Sequence, residues 1–133
     1  MKTTKILLSA ALAMLMLTNC GGGANSPKDV VLTVFNAAKK LDFETMKKHL
    51  TQERISDIER IEKMLNSNPE ERAEIKEMLK NAKFEILSEE ISADDNSAVV
   101  TIKTSRVKDK DDKEDEVDLV KIDGIWKFDS NPF

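Results

Sequence analysis

The chain has no tyrosine, one cysteine, one histidine and one tryptophan among its 133 residues. A single cysteine excludes an internal disulfide. One histidine, no tyrosine and no second cysteine leave few side chains suited to proton transfer near neutral pH. There is no Ser–His–Asp set, no phosphate-cradling glycine loop and no Cys/His cluster of metal-ligand spacing. Catalysis is therefore disfavoured, and neither a cofactor nor a metal is expected. Lysine and arginine do not gather into a basic stripe, which argues against nucleic acid. Nor does an acidic balance give any electrostatic reason to lie on an anionic lipid surface. The apolar run Ile6–Leu17, ILLSAALAMLML, has twelve residues, where a membrane-spanning helix needs roughly 20.

What that run does offer is an export signal. Lys2 and Lys5 form a short positive segment ahead of it, the order of a signal peptide over Met1–Asn19; an uncleaved signal anchor is the alternative. The residues that follow, Leu17-Thr18-Asn19-Cys20, resemble the lipobox recognised by lipoprotein signal peptidase, with Asn19 in a place more often held by Gly, Ala or Ser. The resemblance implies that Cys20 becomes the lipid-bearing first residue of the mature protein, which also accounts for the lone thiol. A buried structural cysteine does not suit a position beside Gly21-Gly22-Gly23. Two or more acyl chains would hold the protein on a bilayer stably, at about 0.8 kcal/mol per buried methylene. Gly21, rather than Asp, after Cys20 favours the outer membrane by resemblance to enterobacterial sorting. The expected location is the cell envelope.

From Cys20 onward 19 basic residues stand against 25 acidic ones, and the length suits one domain. Residues 20–25 read as the lipidated cysteine and a flexible tether, and residues 26–133 as the domain. Ser26 is an N-cap, Pro27 sits at the first helical position and Asp29 completes a near-capping box. Val30, Val31, Val34, Phe35, Ala38 and Leu41 then recur at helical spacing. Asp42 caps a short second helix with Phe43, Met46 and Leu50, and Thr51 stands where a third would be capped, with Ile55, Ile58, Ile61 and Leu65 on one side. Asn68-Pro69 opens a fourth, whose apolar side is Ala73, Ile75, Met78, Leu79 and Ala82. From Lys83 the period changes. Phe84 to Ile91, Ser97 to Val107, Val117 to Ile122 and Ile125 to Phe128 read as strands, Lys108 to Asp115 as a charged loop, and Asp123-Gly124 as a two-residue hairpin turn. Helices before strands indicate an α+β domain, with N-terminal helices packed on a curved antiparallel sheet.

Three stretches carry a family resemblance: Ser26-Pro27-Lys28-Asp29-Val30-Val31 with Lys39-Lys40-Leu41-Asp42-Phe43, then His49-Leu50-Thr51, then Val117 to Phe128, VDLVKIDGIWKF. They resemble small bacterial lipoproteins of the family called domain of unknown function 4878, and the order of elements is similar to the nuclear transport factor 2-like (cystatin-like) cone. The resemblance implies an N-terminal helix lying inside a strongly bent antiparallel sheet. It brings no established activity.

Candidate sites are few. His49 suits either a proton-transfer dyad of the kind some cone-fold enzymes use, or a surface place near a helix end, where cations complement the dipole. Asp109, Asp111, Asp112, Glu114, Asp115 and Glu116 could supply oxygens to calcium, but their spacing departs from an EF-hand, with Lys113 where a ligand is needed; a solvated loop is the plainer reading. Trp126 is either an exposed ligand contact or core. The leading expectation is a non-enzymatic, membrane-tethered module that binds a small apolar ligand or a protein partner, with Val34, Phe35, Ala38, Val100, Ile102 and Trp126 lining a pocket between helix and sheet. The alternative is an envelope-interaction protein whose pocket is filled by its own side chains, Phe35, Phe84 and Trp126 among them. An enzyme ranks third. Pairing of two copies through the sheet stands beside these as a further expected partner mode.

Overall fold

Helix α1 (Pro27–Lys39) starts where the sequence predicts. The Ser26 hydroxyl accepts the Asp29 amide hydrogen at 3.3 Å, and Pro27 occupies the first turn, where its missing N–H has no partner to lose. This computed structural model describes residues 26–106 and 109–133; the expected signal peptide Met1–Asn19, Cys20 and the tether Gly21–Asn25 lie outside the described residues. The stripe predicted for α1 is real: Val30, Val31, Val34, Ala38 and Leu41 are buried together with Ala37, and Phe35 is half-buried.

The exit from α1 sets the path of the next helix. Leu41 N–H donates to Ala38 O and Asp42 N–H to Ala37 O, a Schellman arrangement with Leu41 at φ +53°. Left-handed backbone costs a residue with a side chain roughly 1–2 kcal/mol. Leu41 is only 4% exposed, and burying a leucine contributes about 1.5–3 kcal/mol, so packing wins. The tight turn puts Asp42 in place to cap α2 (Phe43–His49), its carboxylate accepting the Thr45 amide at 3.2 Å. Helix α3 (Gln52–Ser67) is tied to α2 by a Lys47–Glu62 ion pair at 2.7 Å and buries Ile58 and Leu65.

Helix α4 (Pro69–Lys80) begins as expected, with the Asn68 side chain accepting the Glu71 amide. Its apolar side does not behave as expected. No residue of α4 is buried; Ile75 and Leu79 are half-covered, Ala73 is exposed and Met78 is 44% exposed. The helix leans on α3 and α1 at the periphery, so a pattern fit for a core meets only a partial partner.

Strands β1 (Lys83–Ile91), β2 (Ser97–Arg106), β3 (Asp109–Ile122) and β4 (Ile125–Phe128) form one antiparallel sheet in chain order. Ile86 faces Ile102, Ala98 faces Leu119 and Leu119 faces Phe128. Strand alternation therefore lines up Ala98, Val100, Ile102, Val117, Leu119, Trp126 and Phe128 on the helix-facing side, all buried. The Asp123-Gly124 turn has φ of +52° and +77°, as a type I′ hairpin requires.

Of the charged segment read as a loop, Lys108 lies outside the described residues, and Asp109 to Asp115 are instead the first half of β3. Lys113 pairs with Thr104, Glu114 with Lys103 and Glu116 with Thr101. The β-branched run of β2 demands a partner strand, and opposite charges across it help: Lys103 reaches Asp112 at 3.1 Å. Such cross-strand pairs contribute roughly 0.2–1 kcal/mol each. Extension also separates the carboxylates, since Glu114 and Glu116 point to one side and Asp115 to the other.

Burial in this arrangement predicts a sharp contrast. Phe128 is 0% exposed and touches both layers, so Phe128→Ala should cost about 3–5 kcal/mol. Met78→Ala, on the outer side of α4, should stay within about 0.5 kcal/mol. Urea unfolding of both variants checks this, and comparable losses would show that the helical layer is packed otherwise.

Candidate functional site

The six residues expected to line a pocket do come together. Val34, Ala38, Val100, Ile102 and Trp126 belong to one buried cluster, with Phe35 packed against it. The Phe35 ring lies 4.9 Å from that of Phe84 and meets Phe128 edge-on at 5.7 Å. A side chain beside a void large enough for water would show accessible surface. Val34 and Val100 show none, and Ala38 and Ile102 show 2% each. Around these four residues the space between α1 and the sheet is filled. Trp126 is 5% exposed, with the Lys121 ammonium over its ring at 5.2 Å, so its indole is core at one edge and a cation platform at the other.

A depression of about 460 Å³ lies elsewhere, across β1, β2 and β3, lined among others by Glu90, Ile91, Ser97, Val99, Asp118 and Val120. It shares none of the six expected residues. Strand alternation assigns Glu90, Ser97, Val99, Asp118 and Val120 to a plain solvent face; the signal that could have marked it is Val99 and Val120, β-branched side chains standing among polar neighbours.

Polar chemistry concentrates where α2 ends and β4 begins to close the sheet. Leu50 bridges Phe128 in parallel, and Thr51 N–H donates to Phe128 O at 3.1 Å. Thr51 occupies the N-cap place of α3, yet its hydroxyl does not cap; it donates to Asp129 Oδ1 at 2.9 Å. Arg54 approaches the same carboxylate, Nε to Oδ1 at 3.7 Å, while its Nη1 donates to Asp57 at 3.2 Å. At 3.7 Å the first contact is coulombic only, and Arg54 Nε is buried without a hydrogen-bond partner. On the other side of the bridge Lys127 Nζ donates to Lys48 O at 2.8 Å, which satisfies a carbonyl at the C-terminal end of α2.

Residues 19–129 match the family described as Domain of unknown function (DUF4878). The chain belongs to that family. No curated protein matches it. The matched span of this DUF4878 member takes in the four helices and four strands of the described residues, and both partners of the Thr51–Asp129 bond.

His49 sits beside this junction, half-buried. Burial first, and then the cations of Lys127 and Lys48, hold its imidazole below the ordinary value of 6.5. Among the described residues no carboxylate pairs with it, so its surroundings oppose the imidazolium that a His–Asp dyad would stabilise. The consequence is a pH-dependent stability. A lowered native pKa means that the unfolded chain binds the proton more readily. The contribution is present above about pH 6.5 and is lost as pH falls through the lower native value. Urea midpoints measured from pH 7.5 to 5 should fall more steeply in the wild type than in His49→Gln; parallel profiles would show that His49 is solvated alike in both states.

Proposed function

We propose that this DUF4878 protein is exported, lipid-anchored through Cys20 in the bacterial cell envelope, and works there as a non-enzymatic interaction module whose helix–sheet interior is filled by its own side chains. The filled interior rests on one observation, the closure around Val34 and Val100, both wholly cut off from water. An apolar ligand lying between α1 and the sheet would have to displace them or the Phe35–Phe84–Phe128 ring contacts. The lipobox-like Leu17-Thr18-Asn19-Cys20 behind an apolar run supports the anchor, and Gly21 supports the outer membrane. No described helix is long and apolar enough to cross a membrane. The layering of helices on one side of an antiparallel sheet agrees with a nuclear transport factor 2-like cone. The acidic balance and the cationic neighbours of His49 support a reading without nucleic acid and without acid–base catalysis.

The small-ligand reading keeps one observation in its favour: Phe35, Phe84 and Ile86 are only half-covered, so one edge of the core is less tightly sealed. Mass spectrometry of the natively purified protein separates the two. The expected result is a chain beginning at Cys20 with a diacylglycerol thioether, no other small molecule on denaturation, and unlipidated precursor in Cys20→Ser. A stoichiometric apolar molecule released from the wild type would restore the ligand reading, and a mature, membrane-bound Cys20→Ser protein would remove the anchor.

A further inference from the structure

The end of the domain from which the tether leaves is also where exposed isoleucines gather. Lys28 N–H, in the first turn of α1, donates to Glu89 Oε2 at 2.9 Å, so the helix N-terminus is fixed beside the last residues of β1. The β1–β2 turn lies at that same end, and Lys121 N–H donates to Asn96 O at 2.8 Å, which ties it to the close of β3 and the Asp123-Gly124 turn. Three large apolar side chains stand exposed here: Ile91 at 46%, Ile122 at 45% and Ile125 at 54%. Ile122 and Ile125 face each other across the hairpin immediately behind its tip. The opposite end of the sheet, on the β2–β3 arm, presents Asp112, Lys113, Glu114, Asp115 and Glu116, all exposed.

We propose that this isoleucine-bearing end is the bilayer-facing surface of the lipidated protein, with Ile122 and Ile125 entering the interfacial layer and Ile91 resting on it. The inference rests on the Cys20 anchor. Six residues, Cys20 to Asn25, separate the lipid from Ser26. Fully extended they reach about 20 Å, so the anchored domain stays against the membrane and the end carrying α1's first turn is held nearest to it. A tethered contact is intramolecular, at an effective concentration that makes even a weak patch count. Charge does not drive the contact. Asp95 is paired with Lys121 at 2.8 Å, but Glu90, Asp94 and Asp123 leave this end acidic beside Lys28. Apolar burial must therefore supply the attraction, and anionic headgroups must weaken it.

Trp126, the one tryptophan, stands next to Ile125 and reports the seating. The lipidated full-length protein is placed in vesicles of phosphatidylcholine with brominated acyl chains, and its emission is compared with that in unbrominated vesicles. The expected result is a partial loss of the Trp126 emission, since the indole is nearly buried. That loss should shrink when phosphatidylglycerol is added, and shrink further in Ile122→Ser/Ile125→Ser with lipidation by intact mass and far-UV circular dichroism unchanged. Lipidated wild type with unquenched emission, or a double variant quenched as strongly, would overturn the seating while leaving the anchor intact. Absence of lipid on Cys20 would overturn both. A dimer of the lipid-free mature chain in sedimentation, dispersed by the same two substitutions, would assign the surface to a second copy instead.

Discussion

The apolar seam between α1 and the sheet is what the rest of the molecule is arranged around. Val34 and Val100 are closed to water, and Phe35 meets the rings of Phe84 and Phe128. Once α1 lies there, its ends are constrained. Its start is fixed by Ser26 and by Glu89 reaching across from β1, and its finish by a left-handed Leu41 whose burial outweighs the strain of its backbone. Helix α2 then has one direction to run, and the Leu50–Phe128 bridge returns the chain to the edge of β4. The polar junction of Thr51, Arg54 and Asp129 follows from that return. Thr51 gives up its capping bond to hold the segment after β4, so the end of the sheet and the start of α3 depend on each other.

This arrangement accounts for the scarcity of a recognisable site. The one histidine has Lys48 and Lys127 as its charged neighbours, and among the described residues no carboxylate pairs with it. On the proposed reading as an interaction module, the working part is the surface. The layers are unequal in this respect: α4 has no buried residue, whereas β2 and β4 place most of their helix-facing side chains out of solvent. The buried core is accordingly built by α1, α2, α3 and the sheet, with α4 outside it.

Much of this was legible in the sequence because it is local. Ser26-Pro27, Asp42 and Asn68-Pro69 are capping signals that need only a few neighbouring residues, and each caps the helix it announces. The α1 stripe and the Asp-Gly turn are likewise local. The failures are all non-local. The acidic half of β3 has no apolar alternation of its own and becomes strand because β2 lies beside it. The Thr51 hydroxyl is drawn away by Asp129, 78 residues distant in sequence. The apolar side of α4 is visible in its periodicity, but how little covers it depends on where α3 and α1 leave it. The six residues expected to line a pocket fall in one cluster; whether they enclose space is decided by side-chain volumes from three separate elements, which periodicity does not measure.

Whether the seam is filled can be asked of Val34 and Val100 themselves. Their methyl groups, isotope-labelled in the mature protein, would be followed by NMR during titration with lauric acid up to its solubility limit. A filled interior predicts that neither valine's methyl signals shift or broaden, whatever happens at the surface. Saturable shifts at both, with slowed exchange or new contacts between ligand and methyl protons, would mean that the interior opens to an apolar guest and that a self-filled core is the wrong description of this domain.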